Sequence, residues 1–212
     1  MLLQDLRAEV AKTALLMFHW GLVRGTSGNI SARDAASGYV AITPSGMDYE
    51  KVKPEDIAVV SMDGEIVEGD RRPSVEKPLH LAFYHRLPDV LAVVHTHAPY
   101  ATAISMVHNE IPVAMPEIVF ALGGSVPIAP YATPGTEELG LGALKALGDR
   151  KGVILQNHGT VTIGESLDRA LHRAVALEDA AYIYCLALQM GKPFLLPAEE
   201  VRALRAKVGY KD

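Results

Sequence analysis

The 212-residue chain has a single cysteine, Cys185, no excess of positive charge and no long apolar run. One cysteine can form neither an intrachain disulfide nor a multi-thiolate metal site, so we expect a reducing, cytoplasmic compartment. Lys and Arg number 20 against 25 Asp and Glu, which gives no general electrostatic reason to bind nucleic acid or an anionic membrane. Charges or glycines interrupt every apolar run well before 18 residues, which argues against a membrane span. The first residues also lack the basic flank and apolar stretch of a signal peptide.

The composition that is present predicts one globular domain over residues 1–212. The chain is 49% hydrophobic and 21% charged, and no repeat, charge block or Ser/Gly linker divides it. Hairpin patterns and irregular alternation of helical and strand patterns favour an α/β fold with a partly antiparallel sheet over a regular doubly wound fold.

Apolar periodicity and turn residues predict the individual elements. Helices are expected over 3–18, 76–86, 99–106, from 136, 166–190 and 198–207. Strands are expected over 38–43, 90–94, 125–129, 151–157 and 160–164, with a hairpin over 57–69. We expect a type I′ turn at Asp63-Gly64, a glycine-rich loop over 25–31, and Phe18 and Trp20 in the core.

The pair His95-x-His97 follows the apolar run 90–94. Residues i and i+2 of a strand project to the same face, so two imidazoles here can share one metal ion. Two ordinary histidines at a strand end are the alternative interpretation.

His158 follows a second apolar strand pattern and precedes a glycine, which permits close approach of backbone or ligand. Three imidazoles with an open fourth position form a catalytic metal site, whereas closed structural zinc sites usually contain cysteine. Spacing alone does not establish that residues 97 and 158 meet in space.

Glu76, at the start of the predicted helix 76–86, is a candidate general acid/base, because a metal ion alone does not shuttle a carbon-bound proton. The alternative is a first-turn glutamate that complements the helix dipole. His80 lies one turn further on, either as support for the site or as a packing histidine.

Two stretches, residues 25–29 and 43–46, concentrate hydroxyl and backbone N–H groups. They suit an anion cradle, although they match neither a Walker A nor a GxGxxG motif and plain turns have the same composition. Tyr131 and Tyr210 are candidate proton donors or ligand contacts, with a structural role as the alternative.

Seven stretches, taken in order, resemble the class II aldolase/adducin family. They are GTSGNIS, ITPSGMDYEKVKPEDI, DGEIVEG, RPSVEKPLH, AVVHTHAPYATA, IAPYATPGTEELG and LQNHGT. The resemblance covers nearly the whole chain. It implies a three-layer α/β/α subunit with a largely antiparallel sheet, assembled as a homotetramer with sites between neighbouring subunits.

The resemblance also implies a divalent metal, usually zinc and otherwise an ion such as Mn²⁺ or Co²⁺. The metal would be held by His95, His97 and His158, with Glu76 as a fourth ligand until substrate frees it to act as acid/base. The phosphate of a sugar phosphate would lie among Thr26, Asn29, Ser45, Gly46 and Ser74.

The implied reaction is cleavage of a ketose 1-phosphate to dihydroxyacetone phosphate and an aldehyde, through an enediolate stabilised by the metal. In the family's ribulose-phosphate 4-epimerases the position of Glu76 resembles an aspartate, so the glutamate favours the aldolase branch. An epimerase, dehydratase or decarboxylase of the same family is the alternative. A non-catalytic adducin-like assembly module would not require the three histidines and Glu76, and a generic metal hydrolase would lack its HExxH helix here.

Two departures from the aldolase pattern concern the substrate. Aldolases of this type often have two adjacent serines before the glutamate, whereas this chain has Ser74-Val75. Some also carry a tyrosine proton donor in the stretch that matches residues 111–124, where this chain has no tyrosine and offers Glu117. The sequence therefore leaves the aldehyde portion of the substrate undefined.

Overall fold

The computed structural model describes residues 1–210; residues 211–212 of the predicted domain lie outside the described residues. The strands are β1 (Asn29–Arg33), β2 (Val40–Ile42), β3 (Ala58–Val60), β4 (Ile66–Glu68), β5 (Ala92–Thr96), β6 (Glu110–Ile111), β7 (Val126–Ala129), β8 (Gly152–Leu155) and β9 (Gly159–Gly164). The helices are α1 (Gln4–His19), α2 (Lys77–Arg86), α3 (Pro99–Ser105), α4 (Pro116–Leu122), α5 (Glu137–Leu147), α6 (Leu167–Met190) and α7 (Ala198–Lys207).

The strands form one sheet in the order β4-β3-β2-β1-β5-β9-β8-β7-β6. Among the described strands only β7 and β8 pair in parallel; the other neighbours are antiparallel. β5, which carries the first candidate histidine, therefore lies at the centre between β1 and β9.

Helices cover both faces of the sheet, because successive strand residues point to opposite sides. Val93 packs in a buried cluster with Leu79 of α2 and Leu139 of α5. The next residue, Val94, packs on the other face with residues of α1 and α6, where α3 and α4 also contribute apolar side chains. The three-layer α/β/α fold with a largely antiparallel sheet is confirmed.

Helix ends form where polar side chains or glycine were expected to stop or start them. The hydroxyl of Thr136 accepts a hydrogen bond from the N–H of Leu139 at the start of α5, and Ser166 does the same for Arg169 at the start of α6. α1 ends just before Gly21, whose φ of 74° lies in the left-handed region that glycine tolerates.

Several local predictions were wrong. The segment predicted as a loop over 25–31 enters strand β1 at Asn29, and β6 and α4 were not predicted. The hairpin at 57–69 exists, but five residues join its strands and Asp63 lacks the positive φ that a type I′ turn requires, which only Gly64 has there. Trp20 is 45% exposed rather than part of the core, because it follows the last turn of α1.

Within residues 1–210, no helix combines the length and the apolar character that a membrane crossing requires.

Candidate metal centre

The candidate site forms where β5 and β9 run side by side at the middle of the sheet. His95 lies opposite Val161, and Thr96 lies opposite Thr160. A Cβ atom on Gly159 would fall 2.1 Å from the carbonyl oxygen of Thr96, so only glycine allows β9 to approach β5 this closely.

His158 is presented by the tight connection from β8 to β9. Its N–H donates to the carbonyl of Leu155, and Asn157 before it adopts a left-handed conformation with φ of 58°. The N–H of Asn157 also donates to the hydroxyl of Ser105 at 2.9 Å. The turn that aims His158 at the end of β5 is thus held by both backbone and side-chain contacts.

Four side chains converge at this point: Glu76, His95, His97 and His158. One ligand atom from each lies within 4.8 Å of all the others. His95 Nε2 lies 3.0 Å from His97 Nε2 and 3.1 Å from Glu76 Oε2, and His158 Nε2 lies 3.3 Å from Glu76 Oε1. The structure thus brings together the four residues that the sequence singled out for metal binding and proton transfer.

The donor set fits a cation. His95 Nδ1 lies 2.9 Å from the carbonyl oxygen of Thr160, which can only accept, so Nδ1 carries the proton and Nε2 presents a lone pair in the neutral ring. That lone pair faces a carboxylate oxygen of Glu76, and the buried Glu76 Oε1 has no hydrogen-bond partner of acceptable geometry among the described residues. Two acceptors that face each other repel, and a cation bound between the lone pair and the carboxylate would contact both favourably.

The pKa values of two members agree with a site built for positive charge. Burial would raise the pKa of Glu76, but its contacts with His158, His95 and Asn29 outweigh burial and hold that pKa well below its ordinary value. The pKa of His97 is lowered to about 4, and burial is the largest cause. The charges that His95 and His158 can carry also lower this pKa, whereas Glu76 raises it. At neutral pH the site therefore presents a carboxylate beside an unprotonated His97.

Two of the predicted phosphate residues lie directly beside Glu76. Asn29 Nδ2 donates to Glu76 Oε2 at 2.9 Å, and the N–H of Glu76 donates to the hydroxyl of Ser74 at 3.2 Å. The N–H of Ser74 in turn donates to the carbonyl of Thr43 at 3.0 Å, which ties the segment before α2 to the 43–46 turn.

The other three predicted phosphate residues are exposed on these loops: Thr26, Ser45 and Gly46. The N–H of Ser45 donates to the carbonyl of Arg72, and the hydroxyl of Tyr49 donates to the carbonyl of Gly28 at 2.7 Å. The loops around residues 26 and 45 are therefore anchored next to Asn29 and Ser74.

The three candidates for an additional donor lie outside the cluster. Glu117 is exposed in the first turn of α4, and Tyr131 is 58% exposed with its N–H bonded to Gln156 Oε1. The ring of Tyr210 lies 4.9 Å from the guanidinium of Arg205 and 6.0 Å from Lys151 Nζ. Lys151 precedes β8 whereas His158 follows it, so Tyr210 lies at the end of β8 remote from its own chain's cluster.

Three polar residues next to the cluster were missed by sequence reasoning or given no defined role. His80, fully buried on α2, contacts Asn29 through Nε2 and Ser31 through Nδ1. A signal for Ser31 was present, because the alternation in residues 29–33 places Asn29 and Ser31 on one face of a strand. The contact of Thr160 with His95 uses its backbone carbonyl and left no signal in the sequence.

A buried carboxylate and three converging imidazoles, at the end of central strands of an α/β/α fold, could hold a divalent metal ion, and the set differs from the usual structural zinc sites because it contains no cysteine.

The comparisons with known proteins agree with this class. Residues 8–185 match the family described as Class II Aldolase and Adducin N-terminal domain, and the chain belongs to this family. It is 41% identical over 211 residues to 5-deoxy-D-ribulose 1-phosphate aldolase of Bacillus thuringiensis serovar kurstaki, covering 99% of each chain. It is 34% identical to L-ribulose-5-phosphate 4-epimerase of Salmonella paratyphi C, over 93% of this chain and 91% of that one. A solved structure of L-fuculose 1-phosphate aldolase superposes with a TM-score of 0.94 at 37% identity, over 99% of both chains.

Proposed function

We propose that the protein is a divalent-metal-dependent aldolase that cleaves a ketose 1-phosphate to dihydroxyacetone phosphate and an aldehyde. The observation that carries the proposal is the contact of one carboxylate, Glu76, with His95, His158 and Asn29 at once. Family membership and two aldolases among its relatives support it. Because those relatives are named for different ketose phosphates, cleavage is to be assayed with both 5-deoxy-D-ribulose 1-phosphate and L-fuculose 1-phosphate.

Each residue has a separate role in the proposed reaction. His95, His97 and His158 would hold the metal, with Glu76 as the fourth ligand in the resting enzyme. Zinc suits three imidazoles and a carboxylate, and Mn²⁺ or Co²⁺ can take the same ligands. When bound there, the cation supplies the positive charge that stabilises the enediolate.

Glu76 is the group that would return a proton to carbon after the carbon–carbon bond breaks. Its low pKa keeps it ionised at neutral pH, so it must first take up a proton. In cleavage, the hydroxyl that becomes the aldehyde releases one proton, and one proton passes from solvent through Glu76 to carbon, so the step balances. In the reverse direction, ionised Glu76 accepts the carbon-bound proton. Asn29 and Ser74, with Thr26, Ser45 and Gly46 on the adjoining loops, would bind the phosphate through hydrogen bonds from N–H and O–H groups.

The remaining parts of the proposal concern the whole protein. We propose a cytoplasmic homotetramer in which the tail carrying Tyr210 closes the site of a neighbouring subunit.

An epimerase is the second candidate function. The relative named as a 4-epimerase favours it, and such an epimerase also has to break a carbon–carbon bond.

The test is the variant Glu76→Gln, which keeps the size of the side chain but removes the acid/base. Metal content should survive because three imidazoles remain, while cleavage should fall about 10²–10⁴-fold. The parent enzyme should also wash deuterium from D₂O into dihydroxyacetone phosphate without any aldehyde, and Glu76→Gln should lose this exchange in proportion to cleavage.

The matched control is Glu165→Gln, the same change at an exposed glutamate that pairs with Arg173; it should leave exchange and cleavage unchanged. Exchange that persists at the parent rate in Glu76→Gln would remove Glu76 from proton transfer. A parent enzyme that catalyses no exchange, yet interconverts sugar phosphates, would favour the epimerase.

A further inference from the structure

A row of buried polar side chains leads from the core to Glu76. Tyr84 and Ser31 share a hydrogen bond of 2.7 Å between their hydroxyls, and Ser31 Oγ lies 2.7 Å from His80 Nδ1. His80 Nε2 contacts Asn29 Oδ1, and Asn29 Nδ2 donates to Glu76 Oε2. Ser31 and His80 are 0% exposed, so water does not compete for these bonds.

Only one assignment of protons satisfies the whole row. Asn29 Nδ2 lies 2.9 Å from Glu76 Oε2 and donates to it, so the NH₂ group of Asn29 faces Glu76 and the carbonyl oxygen Oδ1 faces His80. Oδ1 only accepts, so His80 carries its proton on Nε2. His80 Nδ1 must then accept from the hydroxyl of Ser31, and the oxygen of Ser31 accepts from the hydroxyl of Tyr84.

We propose that His80 is a positioning residue that fixes the amide of Asn29 with its NH₂ group toward Glu76. An asparagine without this partner can rotate its amide by half a turn at little steric cost, because O and N are nearly equal in size. The rotated amide would place its carbonyl oxygen against the carboxylate, where both groups are acceptors. The Nε2–H of His80 opposes that rotation, because it would meet an NH₂ group instead of an acceptor.

The functional consequence rests on the proposed aldolase function. The NH₂ group of Asn29 has two N–H bonds, and the described residues accept one of them, at Glu76. The second remains for an oxygen of substrate. Rotation of the amide would therefore weaken the phosphate site and disturb Glu76 in one event. A loss that appears both in KM and in proton exchange is the signature that a role in packing alone would not produce.

Two variants separate positioning from packing. In His80→Gln the side-chain amide reaches the place of Nε2 and can still donate to Asn29, whereas in His80→Asn it reaches only the place of Nδ1, next to Ser31. Both remove the ring, so both lose similar packing. We expect His80→Gln to keep the rate of deuterium exchange into dihydroxyacetone phosphate and the KM for the phosphate ester within about 3-fold of the parent values. His80→Asn should lose about 10-fold or more in deuterium exchange, which corresponds to about 1.4 kcal/mol, and raise KM for the phosphate ester.

A second measurement uses the parent protein without metal and needs no activity. Long-range ¹H–¹⁵N NMR spectra report which nitrogen of His80 carries the proton, and we expect Nε2. The NH₂ signals of Asn29 should exchange slowly with solvent in the parent and in His80→Gln, and faster in His80→Asn. This measurement also decides the question if His80→Asn does not fold.

The proposal is overturned if the proton of His80 is on Nδ1, or if His80→Gln and His80→Asn lose exchange equally. If the parent catalyses no exchange while the NMR spectra give the expected tautomer and the expected order of Asn29 protection, the aldolase function fails and the positioning role stands. If exchange is present but the tautomer is reversed, the positioning role fails and the aldolase function stands.

Discussion

The tautomer of a single histidine decides what the cluster can bind. The carbonyl of Thr160 takes the Nδ1 proton of His95, which leaves the Nε2 lone pair directed at His97 and Glu76. A backbone acceptor behind a ligand histidine raises its basicity and fixes its ring. His95 is also the member of the cluster with no exposed surface.

Removal of His95 should therefore empty the site. We expect about one divalent ion per subunit in the parent, measured by elemental analysis after preparation without chelators, and loss of most of it in His95→Ala. His172→Ala is the control, because His172 is an exposed histidine of α6 that contacts Asp168 and Trp20, away from the cluster; its metal content should equal that of the parent. Full metal content and activity in a variant with alanine at residues 95, 97 and 158 would contradict the site.

His80 should make the metal-free protein sensitive to acid. Burial, the largest cause, and the nearby His95 lower the pKa of His80 from 6.5 to about 3, against the effect of Glu76. Between these pH values the unfolded chain binds a proton that the folded chain does not, so this residue's contribution to stability is full above pH 6.5 and falls as pH drops toward 3. The free energy of unfolding should fall by up to about 1.4 kcal/mol more per pH unit in the parent than in His80→Gln.

Urea unfolding between pH 6.5 and 4, followed by circular dichroism, measures this difference. Parallel pH profiles for the parent and His80→Gln would contradict a buried, unprotonated His80.

Among the elements, β5 and β9 carry the strictest requirement. Their pairing sets the distance from His95 to His158, and it depends on the missing side chain of Gly159. The tight turn before β9 orients the side chain of His158. The distance between β5 and β9 determines whether that side chain can contact the other members of the cluster.

Gly159→Ala should consequently damage both stability and metal binding. A methyl group 2.1 Å from the carbonyl oxygen of Thr96 must push β9 away from β5, at a cost of about 3 kcal/mol. Gly142→Ala is the control: a Cβ there meets nothing within 4 Å, and alanine in the interior of α5 should stabilise by roughly 0.5–1 kcal/mol.

Unfolding midpoints and metal titrations of both variants test this expectation. A Gly159→Ala protein with the parent's stability and metal affinity would mean that the strands can separate without consequence for His158.

How much of this arrangement the sequence predicts depends on whether its determinants are local. The i, i+2 rule places His95 and His97 on one face, and the polar end of another apolar run supplies His158, so the metal residues could be predicted. Strand β1 was missed because the four glycine and hydroxyl residues before it, residues 25–28, have the composition of a turn. The pairing of β1 with β5, which helps to bring Asn29 to Glu76, joins residues 60 to 66 positions apart and leaves no local pattern.

At the scale of the whole molecule, several large apolar side chains remain on the surface of one subunit. Phe194 is 97% exposed and Met190 is 85% exposed, and the partly exposed rings of Tyr100 and Tyr182 lie 4.6 Å apart. Surfaces of this kind are typical of contacts between subunits. They agree with the proposed tetramer, whose sedimentation mass would be four times 22.8 kDa.

The position of Tyr210 leads to a test of that assembly by mixing subunits. Tyr210 is held at the far end of β8 by Arg205 and Lys151, so a role in catalysis requires the site of a neighbour. Tyr210→Phe keeps the ring contacts and removes the hydroxyl, and we expect reduced cleavage with metal content unchanged. In a reassembled equal mixture of Tyr210→Phe and Glu76→Gln subunits, about a quarter of the sites would combine an intact Glu76 with an intact neighbouring Tyr210.

Cleavage should therefore rise in the reassembled mixture to roughly that fraction of the parent's activity, since each mixed site is complete. The control is the same mixture without reassembly, which should show only the sum of two weak activities. A fully active monomer in sedimentation would refute the assembly. Tyr210→Phe subunits with the parent's activity would show that the hydroxyl is not used. A reassembled mixture without a rise in cleavage would place Tyr210 outside every site, because a donor that acts between subunits must restore activity in mixed sites.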